Sequence, residues 1–190
     1  MIASRNHVMT VCAMPLAITF SALSDAAVYW DEASWVDAVD NDAHHITFTE
    51  LDGFAFLDDQ YLDVGITFPE SNDFVDDSGA FQQDGWGAKG FDATLTVDFV
   101  TDVHHVAIYY PGGMRIDLYH DGVLVEEVVD IFGGYAFAGV VSDKPFDRVV
   151  FFDAGDGAVA IDDLYIPQIP APPIAAVFLL ALVRAPRRRV

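Results

Sequence analysis

The strictest constraint in this chain is a change of hydrophobic period. Between about residue 46 and residue 166 the apolar residues recur with a period of two, in runs too short for helices of ordinary length. The run Ala93-Thr94-Leu95-Thr96-Val97-Asp98-Phe99 is the cleanest example: Leu95, Val97 and Phe99 fall on one face and Thr94, Thr96 and Asp98 on the other. Similar runs occur at Ile46–Thr49, Val64–Phe68, Val103–Tyr110, Met114–His120, Val123–Val129, Tyr135–Val141, Arg148–Asp153 and Ala158–Ile166, most of them separated by glycine- or aspartate-rich turns. Only one stretch near the start keeps helical spacing. There Asp31 can cap, Glu32 lies in the first turn, and Trp35, Val36 and Val39 share a face. This pattern predicts a mainly β chain: an antiparallel, jelly-roll-like β-sandwich with one short N-terminal helix.

The Asp121-Gly122 turn allows a register to be argued. A two-residue loop sets Asp117 opposite Glu126, two like charges; a three-residue loop, His120-Asp121-Gly122, sets Arg115 opposite Glu127 and uses Gly122 in the left-handed conformation. The second register is the one expected.

The two ends differ in kind from this middle. Arg5 precedes an apolar run from Val8 to Leu23, and Ser24-Asp25-Ala26 puts small residues at the positions a signal peptidase reads, which predicts a signal peptide over 1–26 cut after Ala26. The only cysteine, Cys12, lies inside that segment, so neither a disulfide nor a lipid anchor is expected in the mature chain. At the other end, Ile169-Pro170-Ala171-Pro172-Pro173 leads into the apolar run Ile174–Val183, followed by Arg184, Arg187, Arg188 and Arg189. Over residues 169–190 this order of proline spacer, apolar stretch and basic tip resembles the PEP-CTERM sorting signal of Gram-negative bacteria. The resemblance gives Pro170, Ala171, Pro172, Arg187, Arg188 and Arg189 sorting roles and implies transient membrane anchoring followed by processing by exosortase. Ala171 stands where that signal usually has Glu. The uninterrupted run of ten apolar residues makes about 15 Å of helix against a hydrocarbon core of about 30 Å.

Charge narrows the partners of the body, residues 27–168. The chain has 30 acidic and 9 basic residues, and all the acids but Asp25 fall in this middle, against Lys89, Arg115, Lys144 and Arg148 alone. Such a surface excludes nucleic acid as a partner and repels other polyanions unless a divalent cation bridges them. With 53% hydrophobic and only 21% charged residues the chain nonetheless has the material for a core.

Asp162 and Asp163 lie within the last apolar run, so strand alternation sends them to opposite faces and one of them inward. A carboxylate facing a core needs a counter-charge, and where basic residues are this scarce a calcium ion is the expected partner. Trp86, between Gly85 and Gly87 and close to Asp84, could present a ring on which a sugar stacks beside a carboxylate; a plug over the core is the competing reading. The segment Asp73–Asp84 has the length of an EF-hand loop but carries Val75, Ser78 and Asp84 where an oxygen ligand, glycine and glutamate belong. The pairs His44-His45 and His104-His105 point their members to opposite faces of a strand and read as hydrogen-bonded structural histidines rather than zinc ligands. No Gly-x-Ser-x-Gly elbow or phosphate loop occurs, and no enzymatic activity is expected.

The body also resembles a family. Ile46-Thr47-Phe48, Tyr61 to Phe68, the Asp121-Gly122 hairpin, Gly139-Val140-Val141-Ser142 with Pro145-Phe146, and Ile161-Asp162-Asp163-Leu164 follow one another as in the β-sandwich domains that often precede PEP-CTERM tails. The relation of that family to carbohydrate-binding jelly rolls implies a calcium-stabilised fold in which Glu50 and Asp52 join Asp162 and Asp163. It further implies an envelope or exopolysaccharide-associated protein with no activity of its own; the alternative reading is a carbohydrate-binding module using Trp86 and neighbouring acids, with a glycan-active hydrolase or lyase behind it.

Overall fold

The computed structural model describes residues 26–51, 54–70, 73–76, 86–90, 93–130, 134–153 and 158–169. The signal segment before Ala26, the sorting tail from Pro170, and Asp52 and Asp84 lie outside the described residues.

The chain is mainly β, and every strand pairing is antiparallel. The strands are β1 (Ala27–Tyr29), β2 (His44–Ile46), β3 (Ile66–Thr67), β4 (Phe74–Asp76), β5 (Gly87–Lys89), β6 (Thr94–Pro111), β7 (Met114–His120), β8 (Val123–Asp130), β9 (Tyr135–Asp153), β10 (Ala160–Ile161) and β11 (Leu164–Ile166). One helix, α1 (Glu32–Ala38), starts where the sequence places it: the Asp31 carboxylate accepts from the Ser34 amide at 2.9 Å and from the Ser34 hydroxyl at 2.7 Å, which caps the first turn. Those two bonds hold Asp31 below the usual carboxylate pKa. The run Val64–Phe68 is a single 3-10 turn (Leu62–Val64) followed by the two residues of β3. Among the described residues no helix is long and apolar enough to cross a membrane.

Two of the expected pairs of short strands are in fact single long ones. The runs around Leu95 and Val103 join as β6, 18 residues, and those at Tyr135 and Arg148 join as β9, 19 residues. Polar residues that read as breaks, Thr101-Asp102 in β6 and Ser142-Asp143-Lys144 in β9, sit instead at a bend where the register shifts near Val103. The pair forms a ribbon with two halves. Thr94–Asp98 and Arg148–Phe152 carry β7 and β8 on one side and β3 on the other; His105–Pro111 and Tyr135–Val141 carry β1 on one side, β11 and then β2 on the other.

The registers show that the ribbon doubles back. Pro111 pairs with Tyr135, and Met114, three residues later, pairs with Asp153. Three residues reach at most about 11 Å, whereas the 18 steps from Tyr135 to Asp153 would extend about 60 Å if β9 ran straight. The second sheet, of order β10-β5-β4, adds Val75, Ala88 and Ile161 to the same core as Leu95, Ile108, Phe146 and Phe151. The interior face of β6 is the expected one, with Leu95, Val97 and Phe99 buried, although Thr96 on the other face is buried as well.

The hairpin register differs from both alternatives. The loop is two residues, His120 opposite Val123, with positive φ at Asp121 (52°) and Gly122 (76°), as the turn that matches strand twist requires. A register shift then leaves Val125 extra on β8, so that Asp117 faces Glu127 and Arg115 faces Val129. The like-charge contact is thus present, and Arg115 reaches Asp117 along its own strand, 3.1 Å from Nε to Oδ1. The bulge keeps Val128 on the buried face, and that burial outweighs the charge contact.

Candidate functional site: a carboxylate–tyrosine cluster

Both Asp162 and Asp163 are buried, at 0% and 2% exposure, rather than one in and one out. Strand alternation fails here because the two residues oppose one: the Asp162 amide donates to the Tyr109 carbonyl at 2.8 Å, and the Tyr109 amide donates to the Asp163 carbonyl at 3.1 Å. This is a bulge between β10 and β11, which turns both carboxylates toward protein.

Their nearest partners are a phenol and a histidine. The Tyr135 hydroxyl donates to Asp162 Oδ2 at 2.5 Å, and His45 Nε2 lies 3.0 Å from Asp163 Oδ1. His45 also stacks flat on Tyr165, 4.4 Å between centroids and 3° between planes. A third carboxylate, Glu32 at the start of α1, is held by two phenols: Tyr109 donates to Oε2 at 2.9 Å and Tyr165 to Oε1 at 3.0 Å. The three tyrosines come from three different strands, β6, β9 and β11. Tyr109 stacks on Tyr135 at 5.5 Å and 13°, and lies 6.4 Å from Tyr165.

Trp35 positions this cluster. Fully buried on α1, it packs edge-on against His105, Phe137 and Tyr165 at 5.7, 6.1 and 5.9 Å. Gly139 beneath it leaves room for the indole: a Cβ there would fall 2.3 Å from Trp35 Cδ1, so a larger residue would force the ring to shift. The docked helix brings Glu32 over the sheet.

Burial first, and then the adjoining carboxylates, raise the phenol pKa values: Tyr109 is pushed up to about 12, with Glu32 its nearest charge, and Tyr135 and Tyr165 are pushed up as well. All three therefore stay protonated and donating at neutral pH. Phenols can satisfy carboxylates that this chain has too few cations to pair.

Glu50 is exposed and lines a cleft of about 370 Å³ with His44, His45, Gln60, Tyr61 and Asp63. Burial and the Glu50 carboxylate push the Tyr61 phenol up. Asp163 meets this cleft through His45, whereas Asp162 is bonded to Tyr135. Among the described residues no group of three or more His, Cys, Asp or Glu side chains is arranged to hold a metal ion; Asp52, the fourth expected ligand, is outside them. The described residues that face the cleft and could offer a calcium ion oxygen are the exposed Glu50 and Asp63, while Asp162 Oδ2 accepts from Tyr135 and Asp163 Oδ1 lies 3.0 Å from His45. Trp86 is half-buried and packs against the main core, and Asp84 is outside the described residues. Of the paired histidines, His104 Nδ1 lies 3.1 Å from the Ser142 carbonyl and His105 Nε2 lies 2.7 Å from the Asp42 carbonyl.

Sequence reasoning singled out the two aspartates and missed Glu32, His45, Tyr109, Tyr135 and Tyr165. Strand aromatics read as packing. The available signal was a shortage: a chain with buried acids and four body cations must find other donors, and tyrosine hydroxyls are the apolar-compatible choice. Compared with protein-family models, with curated proteins and with solved structures, the chain matches none of them.

Proposed function

We propose that this chain is an exported structural or binding protein of the cell envelope or extracellular matrix of a Gram-negative bacterium, sorted by exosortase through its PEP-CTERM-like tail. Its body is a calcium-stabilised β-sandwich of jelly-roll kind that binds exopolysaccharide through cations and catalyses no reaction. The doubled ribbon and the second sheet sharing its core support the sandwich. The observation that carries the functional reading is where the cations go. Three of the four in the body are paired with aspartates of the fold, Lys89 with Asp76, Arg115 with Asp117 and Arg148 with Asp98. Exposed acids such as Asp37, Asp40, Glu50, Asp58, Asp59 and Asp63 are left to present negative charge to solvent. A surface of this kind collects divalent cations, and those ions can bridge it to an anionic polysaccharide.

The test is thermal melting of the chain at fixed ionic strength in EGTA, magnesium or rising calcium, alongside co-sedimentation with alginate. Binding to the folded state raises the midpoint with the logarithm of calcium, and alginate should carry the protein down in calcium but not in EGTA. Equal midpoints in all three conditions and no calcium-dependent sedimentation would overturn the proposal.

A further inference from the structure

The carboxylate–tyrosine cluster has a property that goes beyond the binding role. A phenol loses an electron more readily when a base is already bonded to its proton, because the proton leaves with the electron and no bare phenol cation forms. Tyr109 and Tyr135 each have that base in place: Glu32 Oε2 at 2.9 Å for the first and Asp162 Oδ2 at 2.5 Å for the second. Their rings stack at 5.5 Å between centroids with planes 13° apart, which holds the two oxidisable rings side by side. Both side chains are only half-buried, so an oxidant in solution can reach them. Tyr165 and Trp35 extend the aromatic chain inward, at 6.4 Å from Tyr109 and 5.9 Å from Tyr165.

We propose that Tyr109 and Tyr135 form an oxidative cross-linking site, at which a one-electron oxidant such as a haem peroxidase intermediate joins the two rings as an intramolecular dityrosine. Each phenol gives one electron to the oxidant and its hydroxyl proton to the bonded carboxylate. The two phenoxyl radicals couple by one carbon–carbon bond between ring positions ortho to the oxygens. Each ring then regains aromaticity as the ortho hydrogen leaves its carbon and a proton returns to the oxygen, so the product lacks two hydrogen atoms in all. With hydrogen peroxide as the terminal oxidant, the two electrons and two protons complete its reduction to two waters. The bond would tie β6 to β9 at the rim of the ribbon, beside the hydrogen bond from the Gly112 amide to the Gly134 carbonyl.

The experiment oxidises the full chain with photogenerated tris(bipyridine)ruthenium(III), a one-electron oxidant small enough to reach half-buried rings, and reads dityrosine fluorescence and peptide mass. Expected is a monomeric product lighter by two hydrogens, formed at a rate independent of protein concentration, with the cross-link mapped to Tyr109 and Tyr135. Tyr109→Phe and Tyr135→Phe should each abolish it, and Tyr29→Phe should leave it intact. The map in the unsubstituted chain decides the matter even if a variant fails to fold. A link between two chains, a link through other tyrosines, or no link in the folded protein would overturn the proposal.

Discussion

The two halves of the bent β6–β9 ribbon fix their acids by different chemistry. In the half that carries β7 and β8, Arg148 grips Asp98 through two hydrogen bonds, of 2.5 and 2.9 Å, and Arg115 reaches Asp117 while its guanidinium lies 3.8 Å above the Phe152 ring. In the half that carries β1 and β11, Glu32 and Asp162 are held by tyrosine hydroxyls and Asp163 by a histidine. An arginine neutralises the acid it holds; a phenol leaves the charge in place. A chain with few cations can still fix buried carboxylates, provided that it has aromatic residues with a polar tip to place beside them.

The contrast can be broken most severely at Trp35. Trp35→Ala removes the fully buried ring that docks α1 and with it the approach of Glu32 to the tyrosines, and should cost about 3–5 kcal/mol in urea unfolding. Tyr135→Phe is finer: it deletes only the hydroxyl at Asp162 and should cost about 1.5–3 kcal/mol, the range for a hydrogen bond to a charged group. A loss below about 0.5 kcal/mol would mean that the phenol is not what holds this acid.

In the arginine half, pH is the probe. Burial raises the Asp117 pKa above its ordinary 3.8, and Glu127 across the hairpin raises it further, against the opposing pull of Arg115. Asp117 therefore binds a proton more readily folded than unfolded. Its favourable contribution is complete below the ordinary carboxylate value and is lost as pH rises through the raised one. Melts of the wild type and Asp117→Asn from acidic to neutral pH should show the wild type losing ground to the variant across that window. A constant difference would remove Asp117 from the account. The smallest effect belongs to the Arg148–Asp98 pair, whose arginine is 44% exposed. Arg148→Met should cost about 0.2–1 kcal/mol at low salt and less at high salt, whereas the Tyr135→Phe loss should change little with salt.

What the sequence made legible follows the range of the interaction involved. The α1 cap and the left-handed Gly122 are local and were readable from three or four adjacent residues. The hairpin register was not, because the Val125 bulge is set by the burial of Val128 rather than by the turn. Long strands read as pairs of short ones because a bend and a loop present the same polar residues. At the site, Asp162 and Asp163 were conspicuous as acids in an apolar run, but their partners lie far off in sequence, Tyr135 at 27 residues and His45 on another strand. A bulge that puts both acids on one side leaves no trace in a two-residue pattern.

The strand order has a last consequence, for attachment. The described chain begins beside β1, whose Ala27 faces Val141, and ends just after β11, whose Tyr165 faces Ala107; Val141 and His105 are themselves partners on the central pair. Strands β1, β9, β6 and β11 lie in that order, so three inter-strand spacings, about 14 Å, separate the start of β1 from the end of β11. β1 and β11 run in opposite directions, which brings the start of β1 and the end of β11 out on the same side. A pull applied between those two points would act across the strands rather than along them, on the side away from the turn between Pro111 and Met114.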